Sequence, residues 1–140
     1  MSVYLDASVL VALFTDDALT VRAETFLRKN PMVLIVSDFA AAEFSSVVAR
    51  HVRTKDITKD DARTAFSNLD TWIARTAQRA LISTPDIITA QVLLRRLDLN
   101  LRTADALNIA IAQRLGAPLA TFDKKMAAVA RSVGAEVARA

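Results

Sequence analysis

Four acidic side chains stand at places in this chain where the surrounding residues are apolar. Asp6 ends the short run Val-Tyr-Leu, and Asp123 lies just beyond the run Leu-Ala-Thr. Asp105 opens a segment that is otherwise almost wholly apolar, and Glu43 lies in an alanine-rich stretch between two phenylalanines. An ionised carboxylate in an apolar environment is costly unless a cation or hydrogen-bond donors meet it. These four acids are therefore the candidate site residues.

Carboxylates gathered in a partly desolvated pocket repel one another, so they must be protonated or paired with cations. Oxygen ligands without His or Cys select hard ions, above all Mg²⁺ or Mn²⁺, which commonly bridge protein carboxylates to substrate phosphates. Such ions can activate a water for in-line attack on a phosphodiester and stabilise the leaving oxygen. His51 is the only histidine and cannot build an imidazole site. The acids thus favour metal-dependent phosphodiester chemistry.

Two of these acids also have an ordinary structural explanation. Asp105, with Thr103, sits where a helix takes a cap and a first-turn acid, and Glu43 could be an exposed helix residue. Asp16 and Asp17 are interpreted as solvated first-turn acids of a neighbouring helix. The hypothesis of a shared site therefore depends on all four acids together.

Short apolar runs alternate with helical periodicity along the chain, which predicts a parallel α/β sheet with right-handed crossovers. The predicted strands are residues 3–5, 32–36 and 119–121, with an edge strand at 135–137. The predicted helices are residues 8–14, 17–29, 39–52, 58–75, 85–97, 101–112 and 124–134. Leu81-Ile82 is too short to assign. Strand ends of a parallel sheet face a ligand crevice, so Asp6 and Asp123 should lie at one edge.

The composition fits one domain over residues 1–140 of a soluble protein. No apolar run approaches the roughly 18 residues of a membrane span, and neither a signal-like segment nor a cysteine is present. A reducing cytoplasm is the expected location. The net charge is only +3, but 13 of the 18 basic residues are Arg, which suits phosphate recognition.

The segments VYLDAS, the helix around Glu43, LRTADALNIAIA and PLATFDKKM, in this order, closely resemble PIN-domain ribonucleases, especially VapC toxins of toxin-antitoxin pairs. The resemblance covers essentially the whole chain. It implies a PIN-like three-layer sandwich with a central parallel sheet flanked by helices. It also implies a Mg²⁺-dependent endoribonuclease, a cognate VapB-like antitoxin that blocks the site, and a homodimer. In that family, Asp6, Glu43, Asp105 and Asp123 match the metal-binding catalytic quartet.

The resemblance extends to residues around the quartet. Ser8 and Thr121 match the small hydroxyl residues that support the acids. Asn108 departs from the pattern, because many relatives carry a His or an aromatic residue one turn after the third acid.

Other side chains are candidates for contacts with partners. Arg102, Lys124 and Lys125 are the basic residues nearest in sequence to the acids, and we expect them to hold the RNA backbone. Phe66 and Trp72 either pack in the core or anchor an antitoxin segment that crosses the helices containing Glu43 and Trp72.

Three other classes of protein compete with this interpretation. A haloacid-dehalogenase-like phosphatase needs a second Asp two residues after its nucleophile, where this chain has Ser8. A receiver domain needs an acidic pair at the end of its first strand, which Leu5-Asp6-Ala7 does not supply. A catalytically silent PIN-like RNA-binding or interaction module remains the principal alternative, although such modules have usually lost part of the quartet.

Overall fold

A sheet of four parallel strands forms the centre of the computed structural model, which describes residues 1–140. The strands are β1 (Ser2–Leu5), β2 (Val33–Ser37), β3 (Gln78–Ala80) and β4 (Leu119–Ala120). Their order across the sheet is β3-β2-β1-β4, and all three neighbouring pairs are parallel. Strand β1 is interior, with Tyr4 opposite Ile35 of β2 and Leu119 of β4. The loops after β1 and β4 therefore meet at the same edge.

Helices cover both faces of the sheet and give the predicted three layers. They are α1 (Ala7–Phe14), α2 (Thr20–Lys29), α3 (Asp38–Arg53), α4 (Lys59–Arg75), α5 (Thr84–Leu94), α6 (Thr103–Leu115) and α7 (Lys124–Ser132). Side chains of β1 alternate between two cores. Val3 and Leu5 pack with residues of α1 to α4, whereas Tyr4 packs with residues of α5 to α7.

Local side-chain hydrogen bonds explain where several helices begin. Asp6 caps α1 by accepting a hydrogen bond from the Val9 backbone N–H, and Ser37 caps α3 in the same way. Thr58 and Asp61 form the predicted capping box of α4. Because Asp6 is both the residue after β1 and the cap of α1, its carboxylate is held in place by backbone geometry.

Helix α6 is the buried helix that the sequence predicts. Its residues 106–112 are all buried, and the helix ends at Gly116, whose φ of 62° is left-handed. Asp105 lies in its first turn, at the edge of this buried segment. No helix of the chain is long and apolar enough to cross a membrane.

Several element boundaries differ from the prediction. Helix α2 begins at Thr20 rather than residue 17, because the Asp17 side chain accepts from Leu19 N and forms a turn before the helix. Helix α5 ends at Leu94 rather than residue 97. Strand β3 is polar and was not predicted. The predicted edge strand at 135–137 is a single bridge between Leu119 and Val137.

Candidate active site

The structure joins Asp6 to Asp123 through one hydroxyl group. Thr121, which directly follows β4, donates a hydrogen bond from Oγ1 to Asp6 Oδ2 over 2.5 Å. The same Thr121 oxygen accepts from the Asp123 backbone N–H over 3.0 Å. Asp123 in turn caps α7 by accepting from Met126 N. The two strand-end acids thus lie on either side of Thr121, at the edge that the sequence predicts.

Asp6 is only 4% exposed, and every hydrogen-bond donor to it is neutral. Ser8 Oγ donates to Oδ1 over 2.6 Å, and Val9 N donates to the same oxygen over 3.2 Å. Ser8 Oγ also accepts from Phe122 N, which ties the loop after β4 to α1. Burial raises the pKa of Asp6, and these hydrogen bonds oppose that rise only in part. The Asp6 carboxylate is therefore buried and has no Lys or Arg side chain as a partner.

Glu43 is held by a chain of buried polar side chains. Asn108 Nδ2 donates to Glu43 Oε1 over 2.7 Å, and its Oδ1 accepts from the Tyr4 hydroxyl over 2.6 Å. The Tyr4 oxygen also lies 2.7 Å from Ser37 Oγ. Tyr4 and Ser37 are not marked as site residues by the sequence, because Tyr4 fits an apolar strand and Ser37 fits a helix cap. Asn108 is only 3% exposed, and its hydrogen bonds to Tyr4 and Glu43 fix the position of the Glu43 carboxylate.

The charges of three acids act on one another across this edge. Burial raises the pKa of Glu43, the hydrogen bond from Asn108 lowers it, and the negative charges of Asp6 and Asp105 raise it further. Asp105 is 19% exposed, and its carboxylate lies 3.7 Å from the guanidinium of Arg102, which is 85% exposed. The charge of Arg102 lowers the pKa of Glu43 and so offsets part of the effect of the neighbouring acids.

The acids line a common edge without meeting at one point. No three Asp, Glu or His side chains are arranged to hold one metal ion in common. Asp6 and Asp123 are bridged by Thr121, whereas Glu43 is linked to Asn108 and feels the charges of Asp6 and Asp105. Carboxylate oxygens are nevertheless the donors that a hard divalent cation would need.

The other predicted contact residues differ in their placement. Lys124 lines a cavity beside Thr121, whereas Lys125 is exposed and forms no ion pair. Trp72 packs edge-on against Phe14, with ring centroids 5.3 Å apart.

Phe66 likewise packs against Phe44, with ring centroids 6.3 Å apart. For Phe66 and Trp72 the structure therefore shows the core-packing alternative.

Comparison with known proteins gives the family. Residues 3–132 match the PIN domain family, so this chain belongs to it. The fold is similar to that of VapC20 from Mycobacterium tuberculosis, a toxin that cleaves the sarcin-ricin loop, with 19% identity, 99% of each chain covered and a TM-score of 0.77.

Two further solved structures share the fold. VapBC2 from Rickettsia felis, bound to a DNA fragment from its promoter, has 21% identity over 86% of each chain and a TM-score of 0.61. FitAcB from Neisseria gonorrhoeae has 15% identity, with 99% of this chain and 97% of that chain covered, and a TM-score of 0.70. No curated protein matches the chain in sequence. The predicted PIN-like sandwich is confirmed.

Proposed function

We propose that this chain is a metal-dependent endoribonuclease toxin whose catalytic and metal-binding acids are Asp6, Glu43, Asp105 and Asp123. The observation that carries the proposal is the buried Asp6 carboxylate, which is held by neutral donors alone beside three further acids. Excess negative charge at the carboxyl edge of a parallel sheet suits a cation and a phosphate ester. Membership of the PIN family and the likeness to VapC20 support the same function.

The donor set favours Mg²⁺, with Mn²⁺ as the alternative, because it contains only oxygen. When bound, such an ion would lower the pKa of a water and stabilise charge on the phosphodiester. The chain itself orients the acids. Ser8 and Thr121 fix both oxygens of Asp6, and Asn108 fixes Oε1 of Glu43. Oε2 of Glu43 accepts no protein hydrogen bond and so is available to a ligand.

The proposal is tested by incubating the purified protein with total tRNA and rRNA, in Mg²⁺ and in EDTA, and mapping the fragment ends. We expect cleavage at defined positions in Mg²⁺ and none in EDTA. Binding of RNA without cleavage under either condition would favour the catalytically silent module instead.

The raised pKa values of Asp6 and Glu43 should make the metal-free fold lose stability as the pH rises. Their unfolded-state values lie near 3.8 for Asp and 4.5 for Glu. As the pH climbs from there through the raised folded values, the unfolded chain binds fewer protons and is favoured. We expect the melting temperature in EDTA to fall across this window, and Mg²⁺ to restore it at neutral pH by binding the folded chain.

Calorimetry in EDTA and in millimolar Mg²⁺ measures this effect. The Asp6→Asn variant is the matched control, since its pH dependence and its response to Mg²⁺ should both shrink. Indifference of the wild-type protein to Mg²⁺ would count against the metal site.

Replacing Asn108 by Ala should slow RNA cleavage by about 10-fold to 100-fold, the usual effect of losing a residue that orients a metal-site group. The variant removes a hydrogen bond that lowers the pKa of Glu43, so the pH profile of cleavage should shift to higher pH. Asn68→Ala, an exposed change on α4, is the control. An unchanged pH profile would contradict the positioning role.

An antitoxin segment crossing α3 and α4 would inhibit by occupying the site. A cavity of about 320 Å³ between these helices and the sheet supports this, because its walls carry Ala41 and Ile73 together with two acids, Asp38 and Asp70, against one basic residue, Arg79. Such a surface suits an amphipathic, Arg-bearing peptide. Expression of the chain should therefore be toxic unless its partner is expressed with it, and toxicity that persists on co-expression would contradict inhibition.

A homodimer follows from the family resemblance and has a candidate surface on α5. Ile88 and Val92 are 57% and 62% exposed and lie one turn apart, with Leu81 66% exposed beside the start of the helix. An apolar patch of this kind favours a second copy of the chain. Light scattering of wild type and Ile88→Glu should show a dimer and a monomer, respectively.

A further inference from the structure

A cavity of about 410 Å³ lies between α2, α7 and the segment that follows α7. Its lining includes four basic side chains from these three parts of the chain and no acidic one. The basic residues are Arg22, Lys124, Arg131 and Arg139. All four are exposed, and Arg22 is engaged by the oxygen of Ala140, whereas Lys124, Arg131 and Arg139 form no ion pair. Three cations that share a cavity without acidic side-chain partners repel one another, so the arrangement favours an external anion.

The cavity wall is built by specific contacts. Arg22 lies over the ring of Phe122, 5.3 Å from its centroid. Arg22 also donates from Nε and Nη2 to the carbonyl oxygen of Ala140, over 3.1 Å and 2.6 Å. These contacts hold the final segment against α2 and α7, so that Arg139 lies on the same cavity as Arg131.

Two residues of the cavity wall connect the cavity to Asp6. Thr121 lines it and donates to Asp6. Phe122 also lines it, and its backbone N–H donates to Ser8 Oγ, which in turn donates to Asp6. Thr121 is therefore shared between the cavity wall and the hydrogen bonds that hold Asp6.

We infer that this cavity binds phosphates of the RNA backbone next to the scissile bond, an inference that rests on the proposed function. Guanidinium groups are suited to phosphate oxygens, and a polynucleotide can place one phosphate at the acids and its neighbours among the cations. Of the three basic residues predicted from sequence, only Lys124 lines the cavity. Arg102 lies beside Asp105 instead.

The test measures affinity of a short single-stranded RNA in EDTA, where cleavage is absent, over a range of salt concentrations. We expect the triple variant Lys124→Gln, Arg131→Gln, Arg139→Gln to bind about 10-fold to 100-fold more weakly. Its plot of log affinity against log salt should be shallower by about 0.7 for each phosphate that the variant no longer neutralises. Arg22 is left unchanged because it anchors Ala140.

Two matched controls are Lys29→Gln at the end of α2, an exposed residue that does not line the cavity, and Arg95→Gln directly after α5. Both should keep the wild-type affinity and salt slope, and melting temperatures should show that every variant is folded. If the triple variant binds RNA as the controls do while the wild type cleaves RNA, the cavity inference is overturned and the proposed function stands.

Other outcomes separate the two proposals. If the wild type binds RNA without cleaving it and the triple variant binds more weakly, the cavity inference is supported and the nuclease proposal fails. If the triple variant keeps its RNA affinity and loses antitoxin binding, the cavity belongs to an acidic protein segment and the inference is overturned.

Discussion

Replacing Asp6 by Asn should reduce RNA cleavage by at least about a thousandfold. A metal ion contributes several kcal/mol to stabilising charge in the transition state, and about 1.4 kcal/mol corresponds to a factor of ten in rate. The amide keeps the shape of the carboxylate but not its charge. The Thr121 hydroxyl, which faces Oδ2, can rotate to accept from the new amide N–H, while Ser8 Oγ and Val9 N still donate to the remaining oxygen, so the local hydrogen bonds survive.

The fold should therefore persist in the Asp6→Asn variant, and its melting temperature in EDTA should equal or exceed that of the wild type. Removing a buried charge that has no cationic partner relieves strain of the kind that active sites often carry. Asp105→Asn should lose activity in the same way, whereas the exposed Asp16→Asn should not. Cleavage at the wild-type rate by either site variant would refute the assignment.

The strands were predictable where burial on both faces left an apolar run. β1 and β2 carry such runs because they lie in the interior of the sheet. β3 lies at the edge, and its Gln78 and Arg79 are exposed, so no apolar pattern marks it. The predicted strand at 135–137 is only a single bridge at Val137. A short apolar run shows that residues are buried but not how many of them pair with a neighbouring strand.

Sequence predicted that Asp6 and Asp123 follow strands and that Asp105 lies in the first turn of a buried helix, and these positions are found, whereas Glu43 lies within α3. It could not find what holds Glu43, because the Tyr4–Asn108 hydrogen bond joins residues 104 positions apart. The apolar pattern of a strand predicts that Tyr4 is buried, but it does not predict which residue accepts a hydrogen bond from the Tyr4 hydroxyl. Arg22 and Arg139 were missed as neighbours of Lys124 for the same reason, since only the folded chain brings them to one cavity.

Replacing Arg114 by Ala should destabilise the fold by about 3 kcal/mol or more, because it leaves a buried carboxylate without its partner. Asp86 of α5 is 1% exposed, and Arg114 of α6 donates to both of its oxygens over 2.7 Å and 3.0 Å. Arg114 also donates to the carbonyl of Leu81. This pair therefore ties α5 to α6, the helix that carries Asp105.

Chemical denaturation provides the measurement, with Arg96→Ala as the control. Arg96 pairs with Asp98 at the surface, where both side chains are about half or more exposed, so its loss should cost less than about 1 kcal/mol. The double variant Asp86→Leu, Arg114→Leu should recover part of the stability, since it removes the unpaired charge but also the capping box that Asp86 forms with Ser83. Equal effects of Arg114→Ala and Arg96→Ala would show that the buried pair contributes no more than a surface one.

Replacing Arg114 by Ala should also weaken the pH dependence of stability that Asp86 contributes. Burial by itself would raise the pKa of Asp86, but hydrogen bonds from Arg114 and Ser83 outweigh it, and the pKa is lowered. The stability that Asp86 contributes in the wild type is thus fully present above its unfolded pKa near 3.8. This stability is lost as the pH falls through the folded pKa of Asp86. Without Arg114 the pKa of Asp86 is lowered less, because only the hydrogen bonds from Ser83 remain, so the variant loses less stability on acidification than the wild type. The difference in unfolding free energy between wild type and Arg114→Ala should therefore narrow as the pH is lowered, and a constant difference would mean that Asp86 is not the group left uncompensated.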